Sequence, residues 1–175
     1  MMLAQKYAHA FINVFGSVIS YDEVRYGGQA ASYLYHHRRA LFLLKISTLD
    51  DEVKRKGLRE LCQKFKLPAA FETLIDLLLH DGRAYLFAAV LDALVLTYRK
   101  VHAIAEFHVT SASVLKPDTR VFLEKFMNGK TTSTNFYTYD LNQSLIAGVR
   151  MQSDTLLWEY SIDKKLRALA RMHQF

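Results

Sequence analysis

The sequence predicts a mainly α protein in two parts. An N-terminal six-helix bundle is expected over residues 1–106, and a small α+β domain over 107–175. Three observations carry this. Apolar residues recur at helical spacing through the first hundred positions. After residue 106 β-formers and alternating patterns take over. The 2 prolines and 7 glycines in 175 residues leave little room for long linkers.

In the first helix Tyr7, Phe11, Val14 and Val18 fall at spacings of three and four, with Gln5, His9 and Asn13 on other faces. Gly16 weakens its end, and "SYD" at 20–22 supplies cap residues for a second helix running to about Tyr35. "HHRRALFLLKI" makes a short third. "STLDDEV" offers a cap and first-turn acids for a fourth, striped by Leu58, Leu61, Cys62 and Phe65. Pro68 opens a fifth helix, with Phe71, Leu74, Ile75 and Leu78 on one face and Gly82 as its stop. A sixth runs from about Arg83 to Glu106. Short connections of this kind join helices that pack as neighbours in a bundle.

In the second part, "FHVTSASV" reads as a strand with Phe107 and Val109 on one face, and "PDTRVFLEKFMNGK" as a helix between Pro117 and Gly129. "STNFYTYD" is rich in β-formers. "SLIAGVRMQ" alternates Leu145, Ala147, Val149 and Met151 against Ile146, Gly148 and Arg150, which predicts a middle strand. "SD" turns the chain into "TLLWEY", and Ser161 caps a last helix carrying Ile162, Leu166 and Leu169.

The bulk numbers fit a globular protein: 51% hydrophobic and 23% charged residues. A net charge of +6 favours acidic partners, an anionic surface or nucleic acid. One cysteine excludes an internal disulfide, so a reducing compartment is expected. His9 and Asn13 interrupt the apolar N-terminal run, which does not read as a signal peptide. "AYLFAAVLDALVL" contains Asp92 and falls short of the ~20 apolar residues that cross a bilayer. The expectation is a soluble chain that meets a membrane only through a complex.

Catalytic, metal and cofactor sites are expected to be absent. Gly148 lies in neither a dinucleotide nor a P-loop fingerprint, and Ser144 in no nucleophile elbow. His36 and His37 are adjacent, so on a helix they diverge by about 100° and do not act as an i, i+4 ligand pair. Cys62 lies in an apolar stripe as a small hydrophobe. Asp50, Asp51 and Glu52 sit at a helix start, where capping and the dipole account for them. The basic clusters Arg38–Arg39, Lys54–Lys56 and Lys164, Lys165, Arg167 and Arg171 keep a nucleic-acid-binding adaptor as the alternative function, without any RNA-binding motif to accompany them.

Four segments carry a family pattern in order along the chain. "KYAHAFINVF" resembles a Y-A-x-A-[LF] opening helix, and "HVTSASVL" a V-T-[ST]-A-x-P-L strand. "DLNQSLIAGVRM" resembles D-x-x-[LI]-[IL]-G-G-[FV], and "WEYSIDKKLRAL" resembles D-x-S-[VI]-R-x-[KR]-L. Together they resemble the F-type ATP synthase δ-subunit family, which includes the mitochondrial oligomycin-sensitivity-conferring protein. Ala147 replaces the first paired glycine, Glu159 an aspartate, Asp163 an arginine, and Ser113–Val114 lacks the usual proline.

The resemblance implies a non-catalytic stator subunit, present once per complex, peripheral on the cytoplasmic face of a bacterial inner membrane. The N-terminal part would sit on the α3β3 head and hold an α-subunit N-terminal helix across its first and fifth helices. Tyr7, Phe11, Val14, Phe71, Leu74, Ile75 and Leu78 are the groove candidates. The C-terminal part would hold the C-terminal ends of the b subunits, with Leu145, Ile146, Gly148, Ser161, Lys165 and Leu166 as its motif residues. No direct nucleic-acid contact is implied.

Overall fold

The structure, a computed structural model, describes residues 2–46 and 48–172, the side chains of 170–172 excepted. Arg171, grouped above with the cations of the last helix, lies outside the described side chains. The chain forms two compact units, one ending at Val101 and the other beginning at His102.

The first unit is helical. It contains α1 (Leu3–Phe15), α2 (Tyr21–His36), α3 (Arg38–Lys45), α4 (Asp51–Lys64), α5 (Ala70–His80) and α6 (Phe87–Val101), with a 3-10 turn at Ala84–Leu86. The boundaries follow from local chemistry. Ser20 accepts from the Glu23 amide while the Glu23 carboxylate accepts from the Ser20 amide, a complete capping box that starts α2. Asp50 caps α4 by accepting from the Glu52 amide at 3.2 Å. Gly82 (φ +67) ends α5: its amide donates to the Leu79 carbonyl and the Arg83 amide to the Leu78 carbonyl, the paired bonds of a Schellman turn. Pro68 stands two residues ahead of α5, its carbonyl accepting from the Phe71 amide.

The centre of this unit is α6, which packs against both α1 and α2, while α4 packs on α5. Phe87, Val90, Leu91 and Leu94 of α6 are almost wholly buried, because this helix is apolar around most of its circumference. Its end differs from expectation. The helix stops at Val101, Ala103 adopts φ +47, and the next strand starts at Ile104, so 102–106 leave the helix. Propensity favoured continuation, but parallel pairing of Ile104 and its successors with Thr134 onward takes the backbone bonds instead.

The second unit holds β1 (Ile104–Ser111), α7 (Pro117–Asn128), β2 (Thr134–Leu141), a 3-10 turn (Gln143–Leu145), β3 (Gly148–Gln152), β4 (Leu157–Ser161) and α8 (Ile162–Met172). The sheet order is β2-β1-β3-β4. β1 and β2 run parallel with α7 as the crossover, and the other pairs are antiparallel. α7 covers one face of the sheet: Leu123 and Met127 pack with Phe107, Val109 and Met151, and Trp158 and Tyr137 close the edges. The predicted middle strand begins four residues late, at Gly148 instead of Ser144. Leu145 belongs to the 3-10 turn, and the strand starts only at Gly148.

Candidate functional site

The seven groove candidates of α1 and α5 separate into core and surface. Phe71, Ile75 and Leu78 are fully buried, and Leu74 and Phe11 nearly so. Phe11 meets Phe71 with ring centroids 5.2 Å apart. These five are the packing between the helices, and the expectation of an open groove formed by them is corrected. A helical apolar stripe has the same period whether it faces a core or a partner. Only Tyr7, half-buried, and Val14, 68% exposed, reach the surface.

Tyr7 joins α1 to the turn after α5. Its hydroxyl donates to the Asp81 carboxylate and accepts from Arg83 Nη1 at 2.9 Å, and Arg83 lies 3.7 Å from Asp81. The Tyr7 hydrogen bond, with His80 and Arg83 beside it, holds the Asp81 carboxyl below the usual carboxylate range. The Schellman turn at Gly82 delivers Asp81 and Arg83 to Tyr7; residue spacing gave no sign of it.

The six motif residues of the second unit lie around the start of α8. Leu145 is buried and Ile146 exposed. Ile146 has φ +63 and ψ −59, and the Ala147 amide donates to the Leu145 carbonyl at 2.7 Å. This is a γ-turn centred on a β-branched residue, a strained arrangement. Ile146→Gly is therefore expected to stabilise the unit by about 1 kcal/mol, read as a higher urea midpoint of Trp158 emission. Gly148 (φ +110) starts β3 opposite Ser161. Ser161 Oγ accepts from the Lys164 amide at 3.1 Å, capping α8, and donates to Glu159 at 2.6 Å. Lys165 Nζ lies over the Tyr160 ring, and Leu166 is half-exposed.

Glu159 is the hub of this corner. Its buried carboxylate receives Arg150 at 3.2 Å and Arg167 at 2.9 Å besides Ser161. The Ser161 hydrogen bond, then the two guanidiniums, lower its pKa. Asp163 pairs with Arg167 at 2.9 Å, so the carboxylate that stands in place of an arginine is neutralised within its own helix. A carboxyl lowered in the folded state contributes stability that is complete above its unfolded value, near 4.3, and is lost as pH falls through the lower folded one. Glu159→Gln should cost about 1–2 kcal/mol at pH 7 and flatten the fall in stability between pH 5 and 3. Urea titrations of Trp158 emission at each pH check both.

The described cations of α8 are thus engaged locally: Arg167 with two carboxylates, Lys165 on a ring, and Lys164 Nζ on the Glu159 carbonyl at 3.3 Å. Among the described residues the candidate reactive groups are held apart. Nδ1 of His36 lies 2.8 Å from the Ser32 carbonyl, and that of His37 2.8 Å from the Tyr33 carbonyl. Burial pushes the Cys62 thiol up to about 12, far from a reactive thiolate. No trio of His, Cys, Asp or Glu among the described residues is placed to hold a metal. No described helix is long and apolar enough to cross a membrane.

The sequence pattern of the ATP synthase delta (OSCP) subunit matches residues 3–172. The chain belongs to the ATP synthase delta (OSCP) subunit family. The match runs through both units. Among solved structures, a chain of the cryo-EM structure of the Toxoplasma gondii mitochondrial ATP synthase hexamer is similar, with a TM-score of 0.61 and 16% identity. The alignment covers 98% of this chain and 97% of that one, a likeness of fold. A comparison with curated sequences gives no significant match.

Proposed function

We propose that this chain is a non-catalytic peripheral-stalk subunit of an F-type ATP synthase, linking the catalytic head to the membrane-anchored stalk so that the head resists rotor torque. The observation that carries this reading is the family match, which runs through both units. The six helices of the first unit act as a bundle seated on the α3β3 head. An α-subunit N-terminal helix lies beside α1 and α5, using Tyr7 and Val14 as surface contacts. The second unit takes the C-terminal ends of the b subunits on α8, whose Ile162, Leu166 and Leu169 leave an apolar row half-exposed at spacings of four and three. The local engagement of Lys164, Lys165 and Arg167 favours this reading over a phosphate-binding one.

The chain is peripheral to the energy-coupling membrane and reaches it through the complex. The expected placement on a bacterial inner membrane is part of the proposal; the similar solved chain is mitochondrial. Coupling tests the function. Membranes stripped of this chain should hydrolyse ATP without acidifying their vesicles, and adding the purified chain back should restore the proton gradient. Full acidification by the stripped membranes would refute it.

A further inference from the structure

The first unit carries an open apolar cleft away from Tyr7 and Val14. It holds about 400 Å³ and lies where α2, α3 and α4 meet. Leu43, Leu49 and Val53 line it with Leu61, and Leu43 and Val53 are about half exposed. Along α4 the lining residues Val53, Gly57, Leu61 and Lys64 recur at spacings of four and three, a stripe about 16 Å long. That matches three turns of an incoming helix.

Gly57 is the unexplained feature of this stripe. An interior helical glycine weakens its helix and is expected where another backbone comes close. Among the described residues a Cβ at Gly57 would meet nothing within 4 Å, so their packing does not account for its absence. It is a bare floor in the middle of the cleft. The charge around it is one-sided. Between residues 37 and 67 stand nine Lys and Arg against four Asp and Glu, an excess of five where the whole chain has six. Arg55 and Arg59 are turned to Asp76 and Glu72 of α5. Lys54 and Lys64 line the cleft, Lys64 held 3.8 Å over the Tyr33 ring. Lys54 is buried but for its contact with Asp51 at 3.1 Å. Among the described lining residues Glu60 is the one carboxylate.

We infer that this cleft docks an amphipathic helix of a partner chain, its apolar face toward Gly57 and an acidic flank toward the exposed Lys64. The inference goes beyond the stalk reading and stands on the cleft itself. A helix in a groove is anchored at i, i+3/i+4 and i+7, and small residues let backbones approach.

Photo-crosslinking in the assembled complex tests it. With p-benzoylphenylalanine in place of Leu43 in the full chain, expressed in its own host, irradiation should give a cross-link. Mass spectrometry should map it to a segment with apolar residues every three or four positions and Asp or Glu beside them. A Cβ at Gly57 meets no described atom within 4 Å, and leucine is a better helix former than glycine. Gly57→Leu should therefore raise the floor and keep the helix content measured by circular dichroism, while the cross-link yield falls about tenfold. Val53→Glu, at a half-exposed site, should do the same by repelling the acidic flank. A cross-link to lipid, to a second copy of this chain or to a basic segment would overturn the inference. So would a yield unchanged by Gly57→Leu, or no cross-link at all. Loss of the synthase subunits from the complex, with the mapped helix retained from another source, would refute the stalk reading and leave this one standing.

Discussion

Gly148→Ala is expected to cost the second unit about 3–5 kcal/mol and to lower its urea midpoint accordingly. A Cβ there would sit 2.1 Å from the Tyr160 carbonyl oxygen and 2.7 Å from the Ser161 Cα, both backbone atoms. The φ of +110 is itself one that an L side chain rarely adopts. Relief by movement is blocked, because Gly148 pairs with Ser161 in the sheet and the Ile162 amide donates to the Ala147 carbonyl at 2.9 Å. The damage therefore reaches the cap of α8 and the Glu159 hub. Trp158, the single tryptophan, packs on Phe126 in this unit and reports it directly. A loss below about 0.5 kcal/mol would show that the close approach of β3 and β4 is wrong.

Leu78→Asp should unfold the first unit, with a cost above about 4 kcal/mol and loss of most helical ellipticity at 222 nm. Leu78 is fully buried, so a carboxylate there would lose its water. Val14→Asp, on the same proposed docking side but 68% exposed, should change stability by less than about 0.5 kcal/mol. If this chain binds an α-subunit helix there, Val14→Asp should weaken that binding in a protein that is still folded. The pair separates packing from recognition, which one apolar stripe in a sequence cannot do.

What was legible in the sequence was the chemistry of ends and faces. Ser20 with Glu23, Asp50, Gly82 and Ser161 all act at the helix ends where their residue types predict, because caps are local. Phe107 and Val109 were placed on one strand face and are both fully buried. The misread parts depend on contacts distant in sequence. Nothing near Val101 ends a helix by propensity; the pairing of β1 with β2, thirty residues on, does so. The alternation of Leu145 to Met151 suited a strand, but the γ-turn at Ile146 and the close pass of Tyr160 reset its start. Phe71 and Leu78 looked the same as groove or core. The hub at Glu159 needed Arg150, Ser161 and Arg167 to meet in space, and the sequence showed only that each was present.

The most direct test of the stalk reading is the company the chain keeps. The full chain, tagged and expressed in its own host, would be purified from gently solubilised membranes and its partners quantified by mass spectrometry. The account predicts α, β and b subunits of an F-type ATP synthase in fixed proportion, with one copy of this chain per complex. Recovery of nucleic acid or unrelated proteins, with no synthase subunits, would contradict it.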